Sequence, residues 1–249
     1  MALSNTPPAS EPVAEFRLLG KIEWSDIVQL QQRLIYEAGE SQRPTITVLI
    51  CEHPTLLTVG RQGSRRHIRL TDQQLRQRQI KVEWVNRGGG CILHGPGQLC
   101  IYPIVPLNRL QWSVGEFVER FQDGLQNALS ELCLDSRAGD SPGALWGRSG
   151  VLAALGIGVR FWVSCFGAYV NVNPAMASYR HIESVVQSDE VATMGSLLAE
   201  KRQSLPMNRV RSVLIESLAE SFDCPKYNLQ TGHRYLLGKP SHGNAVASI

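Results

Sequence analysis

The segment Arg87-Gly88-Gly89-Gly90-Cys91-Ile92-Leu93-His94-Gly95-Pro96-Gly97-Gln98 constrains the fold of this chain more than any other. A phosphate loop of the P-loop or dinucleotide-binding kind runs from a strand into a helix N-terminus, where free N–H groups face the anion. This segment runs instead into Leu99-Cys100-Ile101-Tyr102-Pro103-Ile104-Val105, which reads as a strand. Both phosphate-binding readings therefore fail. Two others remain. One is a glycine-lined cleft in which a ligand lies close to the backbone, with Arg87, His94 and Gln98 as its polar groups. The other is a plain hairpin with tight turns.

Around this segment the chain alternates runs of strands with helices. Ile27, Leu30, Leu34, Ile35 and Ala38 have helical spacing, and Thr71 with Gln74 forms a capping box that opens a short helix. Ser113 with Glu116 forms a second box ahead of Phe117, Phe121, Leu125, Ala128, Leu129 and Leu132. A fourth helix is expected near 207–222. Strands are expected at 45–50, 55–59, 81–86, 99–105, 151–163 and 168–173. Strands grouped in this way predict an α+β or mixed-sheet architecture and not a doubly wound parallel sheet.

Composition limits the function classes. The 249 residues, 43% hydrophobic and 19% charged, can bury a full core. A net charge of +3 without a basic run interleaved with aromatics predicts no nucleic-acid partner. No stretch of about 18 apolar residues is present, so no membrane span is expected. The six cysteines form no CxxC pair and have no histidine at zinc-ligand spacing. They predict reduced thiols, no metal and a cytoplasmic protein. The first residues lack the basic and apolar regions of a signal peptide. Residues 1–13 and 228–249 are expected to be disordered tails.

The block RGGGCILHGPGQLCIYPIVPL resembles the RGGxxTYHGPGQxxxYPxxxL signature of the lipoyl(octanoyl) transferases. Glu52-His53-Pro54 through Gly60-Arg61, with His67 beyond, resembles that family's EHPPxYTLGR…H segment. Leu155-Gly156-Ile157 through Gly167-Ala168-Tyr169-Val170-Asn171-Val172-Asn173 resembles its LGLRV…HGxALNVN stretch. The three blocks keep the family's order and spacing. The resemblance implies a single domain over 14–227 with the fold of biotin and lipoate protein ligases: a mixed β-sheet flanked by helices, plus a smaller sheet. It implies transfer of an octanoyl group from acyl carrier protein to a lipoyl-domain lysine, with no cofactor. It also implies that Arg87, Gly88, Gly89, Gly90, His94 and Gly95 line the acyl site, together with Gly97, Gly156, Gly167 and Ala168. A monomer is expected.

That reaction uses a cysteine that takes the acyl chain and a lysine that activates the exchange; a nearby cation lowers a thiol pKa so that the thiolate can attack. Counting back from Leu155-Gly156 puts Val151 at the family's lysine position. Counting on from Asn173 puts Val185 at its cysteine position. Phe166 replaces the histidine of HGxALNVN, and Ile92-Leu93 replace Thr-Tyr. Valine neither attacks a thioester nor carries a proton. Three readings follow. In the first, transfer persists through a relocated nucleophile, Cys165, tuned by Arg160 or His94, or by direct transfer with His94 as general base. In the second, the chain is a pseudoenzyme that binds an acylated protein or a lipoyl domain. In the third, it is an ATP-dependent lipoate or biotin ligase relative. Packing explains Cys91 and Cys100; Arg65-Arg66 beside His67 either docks an acidic acyl carrier protein or, as the favoured reading, is a solvated surface loop; and a core role competes with a site role for His53.

Overall fold

The computed structural model describes residues 12–139, 143–187 and 190–236. The first half runs β1 (Val13–Lys21), α1 (Trp24–Glu40), β2 (Thr45–Glu52), β3 (Leu56–Val59), α2 (Asp72–Gln77), β4 (Lys81–Trp84), β5 (Cys91–His94) and β6 (Gln98–Ile104). It continues with α3 (Leu107–Leu110), α4 (Val114–Glu131), β7 (Arg137–Ala138), β8 (Ala144–Gly147), β9 (Gly150–Arg160) and β10 (Val163–Asn171). The last part holds β11 (Ser184–Gln187), β12 (Glu190–Ala192), α5 (Leu197–Lys201), α6 (Met207–Ser221) and β13 (Tyr227–Thr231).

An eight-stranded sheet in the order β13-β1-β2-β6-β10-β9-β8-β7 forms the centre. The β13-β1-β2 end is parallel and the remaining pairs are antiparallel. A smaller sheet, β4-β3-β5, carries the glycine segment, and β11 pairs with β12. Helices α4 and α6 cover one face of the large sheet, burying Phe117, Phe121, Leu125, Leu214, Leu218 and Phe222. Helix α1 covers the other, bringing Ile27, Leu30 and Leu34 into one apolar cluster with Leu49, Tyr102 and Tyr169. Both helix stripes follow from the 3.6-residue period of their apolar positions. The mixed sheet flanked by helices matches the expected α+β class. No helix among the described residues is long and apolar enough to cross a membrane.

Local signals held unevenly. Thr71 and Gln74 form the reciprocal capping box at α2. Ser113 accepts the Glu116 N–H at 3.0 Å, but the Glu116 carboxylate turns to Arg120 at 3.1 Å, so the second box is only half made. The single strand expected over 151–163 is two: β9 ends at Arg160 and β10 starts at Val163, with Phe161 and Trp162 at φ +53° and +60° between them. Two-residue turns of this kind favour Asn-Gly. An aromatic pair gives no turn signal.

The tails also need correction. Val13 opens β1, and residues 227–231 pair parallel with β1, from Ala14↔Tyr227 to Leu18↔Thr231. A short 3-10 turn follows at Arg234–Leu236. Tyr-Asn-Leu-Gln-Thr is too short and polar to show a period, and its hydrogen bonds come from the far end of the chain. Residues 1–11 and 237–249, also expected to be disordered, lie outside the described residues.

Candidate functional site

The glycine segment is not one open loop. Residues 91–94 form β5 and pair with β3, from Leu56↔His94 to Val59↔Cys91. This pairing brings His94 inward beside Thr58. Arg87 is wholly buried. Its Nη1 donates to the Gly88 carbonyl at 2.8 Å, and its Nη2 donates to Thr58 Oγ1 at 2.7 Å. Its guanidinium carbon lies 5.6 Å from the Tyr169 ring centroid.

From Arg87 a chain of hydrogen bonds runs through the interior. The Thr58 hydroxyl accepts from Arg87 and lies 2.9 Å from His94 Nε2. His94 Nδ1 lies 2.9 Å from Gln98 Oε1. The Gln98 amide is oriented by its Nε2, which donates to Leu93 O and Asn171 Oδ1, each at 3.0 Å. His94 Nδ1 therefore donates to Gln98, and Nε2 accepts from Thr58. Asn171 Nδ2 ends the chain on the Gly195 carbonyl at 3.1 Å. Tyr179 closes it from the side, with its Oη 2.9 Å from both Gln98 Nε2 and Asn171 Oδ1. Both nitrogens of His94 are thus committed. Burial, then electrostatic interaction with His53 and Arg87, holds its pKa well below the ordinary value. A general base needs a free lone pair, and His94 has none in this arrangement.

His53 makes a parallel set. Its Nδ1 lies 2.8 Å from the Ile22 carbonyl and its Nε2 2.8 Å from Tyr102 Oη. It sits edge-on to Trp24, which in turn stacks on His94 at 5.6 Å and on Phe166 at 6.3 Å. Burial lowers the His53 pKa from 6.5 to about 4. A histidine lowered in the folded state stays neutral there while the unfolded chain takes up a proton. Its contribution is complete above pH 6.5 and is lost as pH falls to about 4. The expected loss across that window is roughly 3 kcal/mol, with His94 acting in the same direction. Urea unfolding at pH 7, 5 and 4 checks this; stability flat across the window sinks it.

The residues expected at the acyl site separate into groups. Arg87, Gly88, Gly89 and Gly156 close on one another: Gly88 N donates to Ile157 O at 2.8 Å, and a Cβ on Gly156 would meet Arg87 Cδ at 2.8 Å. Gly90 joins Gly60 by a 3.0 Å backbone bond. Gly95, next to Thr55, and Gly97 form the β5–β6 turn; Gly97, at φ +86°, presses on the Asn173 carbonyl. Gly167 packs on the Ile101 carbonyl, and Ala168 belongs to the cluster on the α4–α6 side of the sheet, away from His94. Gly97 and Gly167 thus approach neighbouring backbone closely, while Gly88, Gly89 and Gly95 are half-buried with room for ordinary contacts only.

Val151 is 0% exposed and lies in the apolar cluster that includes Trp24, Ala154 and Tyr169. Its N–H donates to Thr193 O and its carbonyl accepts from Gly195 N, both at 2.9 Å. The preceding turn is fixed by Glu200, which accepts from Arg148 N at 3.1 Å and Ser149 N at 2.8 Å. Backbone and side-chain donors hold the Glu200 carboxyl down at about 2 against its burial. Val185 lies in β11, opposite Val191 of β12.

Cys165 is 8% exposed and lines a cleft of about 340 Å³ between α1 and the β9–β10 hairpin. Burial pushes its thiol up to about 11, against the pull of Arg160 and Arg61. At pH 7 about one thiol in ten thousand is ionised. Cys91 and Cys100 are also buried, with burial raising both thiols. Arg65 is tied to the Ile68 and Leu70 carbonyls and to Asp72, while His67 Nδ1 accepts from Ser64 N. Sequence reasoning missed Trp24, Thr58, Tyr102 and Tyr179. Thr58 alone carries a hint, as a polar residue in an apolar strand.

Residues 25–219 match the family model of the lipoyl protein ligase A/B catalytic domain. An octanoyltransferase of Geobacter metallireducens is 33% identical over 67% of this chain and 74% of its own. One of Chloroflexus aggregans is 30% identical over 84% of this chain and 95% of its own. The chain belongs to the lipoyl(octanoyl) transferase family. The bipartite lipoate protein ligase of Thermoplasma acidophilum superposes with a TM-score of 0.70 over 90% of this chain and 88% of that one, at 13% identity. A lipoate-protein ligase A bound with ATP gives 0.68 over 89% and 90%, at 14% identity. These likenesses show that the transferase-family chain has the lipoate protein ligase fold. The polar chain from Arg87 to Asn171 is built from the transferase-like motifs.

Proposed function

We propose that this lipoyl(octanoyl) transferase-family chain has lost octanoyl transfer and acts by binding an acylated carrier protein or a lipoyl domain. Val151 carries the reading. The position matched to the family's activating lysine is filled by a fully buried apolar side chain. The reaction needs a thiolate and a cation beside it. The only cysteine in the α1–hairpin cleft has its thiol raised to about 11. His94 has both nitrogens engaged. The same valine weighs against a ligase that holds an acyl-adenylate on a lysine amine.

A second reading, transfer through a relocated Cys165, is favoured by one observation: this cysteine lines a cleft. Both are tested by mixing the protein with octanoyl-acyl carrier protein and an apo lipoyl domain, then reading intact masses beside a working family member. The expected result is no octanoylated lipoyl domain and no adduct on this protein while the control gives product. Product that disappears in Cys165→Ser would overturn the binding reading in favour of the second. Product that survives in Cys165→Ser would point to direct transfer. Adenylate formation with ATP would support a ligase.

A further inference from the structure

A second cavity, of about 560 Å³, opens at the other end of α1 and β2 from His94. Its floor is β1 and β2, its roof is the last turns of α1, and residues 230–234 close its side where β13 ends. Thr45 opens β2 and His53, beside His94, follows its last residue. Roughly 26 Å of extended chain separates the two. Half of the lining, namely Glu15, Arg17 and residues 230–234, lies outside the residues 25–219 that match the family model. The cavity is thus distinct from the octanoyl site in both place and sequence.

The floor is polar where packing calls for apolar residues. Side chains alternate between the two faces of a strand. Ala14, Phe16, Ile46 and Val48 are wholly buried in the cluster under α4 and α6. The residues between them, Glu15, Arg17, Thr45 and Thr47, face α1; all four are half-buried and line the cavity. A sheet face covered by a helix is ordinarily apolar, as this one is further along β2 at Leu49 and Cys51. Of the side chains that line the cavity, Leu34 and Ala38 are the apolar ones, too little wall for an acyl chain.

Three arginines of the lining face two glutamates, and both glutamates are already engaged. Glu15 Oε2 accepts from Arg17 at 2.9 Å. Glu37 Oε1 accepts from Arg33 at 3.0 Å and from the Tyr235 hydroxyl, with Arg234 at 3.7 Å. The donors are less well met. Arg43 has no carboxylate at ion-pair distance among the described residues. His233 is 6% exposed, and its Nδ1 accepts the Tyr235 N–H at 3.2 Å. The neutral ring therefore carries its proton on Nε2, which has no acceptor among the described residues. Burial, then Arg17 and Arg234, hold the His233 pKa below the ordinary value, against the pull of Glu37 and Glu15. Two guanidiniums and an unmet ring N–H thus converge where β13 ends, and an anion is the partner they lack.

We infer that this cavity binds a small phosphate monoester with a hydroxylated body, of the sugar-phosphate class. The phosphate meets Arg17, His233 Nε2–H and Arg234, donors that suit its oxygens. The hydroxyls of the body meet Thr47 and the carboxylate oxygens that the existing bonds leave unused, Glu15 Oε1 and Glu37 Oε2. Arg43, just before β2, adds to the attracting field. The volume is in the middle of the range for small-ligand sites. The inference rests neither on the loss nor on the survival of octanoyl transfer.

The test is a titration of the 15N-labelled full chain with glucose 6-phosphate, followed by two-dimensional NMR. Saturable shifts are expected at the Thr47, Gly232 and Arg234 backbone amides and none at those of Gly88 and Gly97. Binding is expected in the millimolar range or tighter, as suits a ligand of this size. Glucose and inorganic phosphate are each expected to bind about tenfold more weakly. Arg234→Gln, at a side chain 71% exposed, is expected to keep the spectrum of the folded chain and to weaken glucose 6-phosphate about tenfold. No saturable shift at about 10 mM probe overturns the inference. So do shifts centred on Gly88 and Gly97, equal affinity for glucose or inorganic phosphate, or an unchanged affinity in Arg234→Gln.

Discussion

Val151→Lys is expected to destabilise the protein by about 4 kcal/mol or more at pH 7, because burial moves a lysine pKa down by about 3–5 units. A lysine in this position would need water or a partner. Here the residue is 0% exposed and belongs to an apolar cluster, and both its backbone groups are bonded to residues 193–195. The sign of the pH dependence is specific. The lysine's folded pKa lies below its unfolded value, so the unfolded chain holds the extra proton at neutral pH. The penalty is therefore larger at pH 7 than at pH 10 and shrinks as pH rises between them. Val151→Met, which lengthens the side chain without charge, is expected to cost about 1–3 kcal/mol with no such dependence. Urea unfolding of both variants at pH 7 and 10 makes the comparison. Val151→Lys with unchanged stability at pH 7 would show that the position opens to water, and the case for a closed site would fail with it.

Gly97→Ala is expected to cost about 3–5 kcal/mol, as backbone strain and overpacking combine. Gly97 sits at φ +86°, and a Cβ there would strike the Asn173 carbonyl group. The Gly97 carbonyl also receives the N–H groups of Val172 and Asn173, at 3.1 and 2.9 Å. The turn therefore ties the HGPGQ segment to the NVN segment, whose Asn171 bonds Gln98. Gly95 supplies the contrast. It has an ordinary φ, and a Cβ there would lie 3.6 Å from Thr55 Oγ1, an easy contact. Gly95→Ala is expected to change stability by less than about 1 kcal/mol. Thermal or urea unfolding of the pair checks this. Equal effects at the two positions would mean that the close approach at Gly97 does not set the requirement for glycine there.

Much of the fold was legible because its elements announce themselves locally. The stripe from Phe117 to Leu132 buries as a helix face, and Thr71 with Gln74 caps as read. The grouping of strands implied a mixed sheet, and the sheet is mixed. Elements without a local signal were missed. β13 is five residues whose order comes from β1, and the β9–β10 turn is closed by Phe161-Trp162 in left-handed conformations.

The candidate site divides along the same line. The sequence by itself determined the family, the presence of Arg87, His94 and Gln98 in one block, and valine at positions 151 and 185, because motif order and residue type are one-dimensional facts. Only the tertiary structure decided what those residues do. It joined Arg87 to Thr58, Thr58 to His94, and Gln98 to Asn171, bonds that span 29, 36 and 73 positions. It also closed the glycine segment against β9 and left Gln31 with an unmet donor beside Phe166, 135 positions away. Whether a polar group is free or already satisfied depends on what long-range packing brings within hydrogen-bonding distance, and no local pattern carries that information.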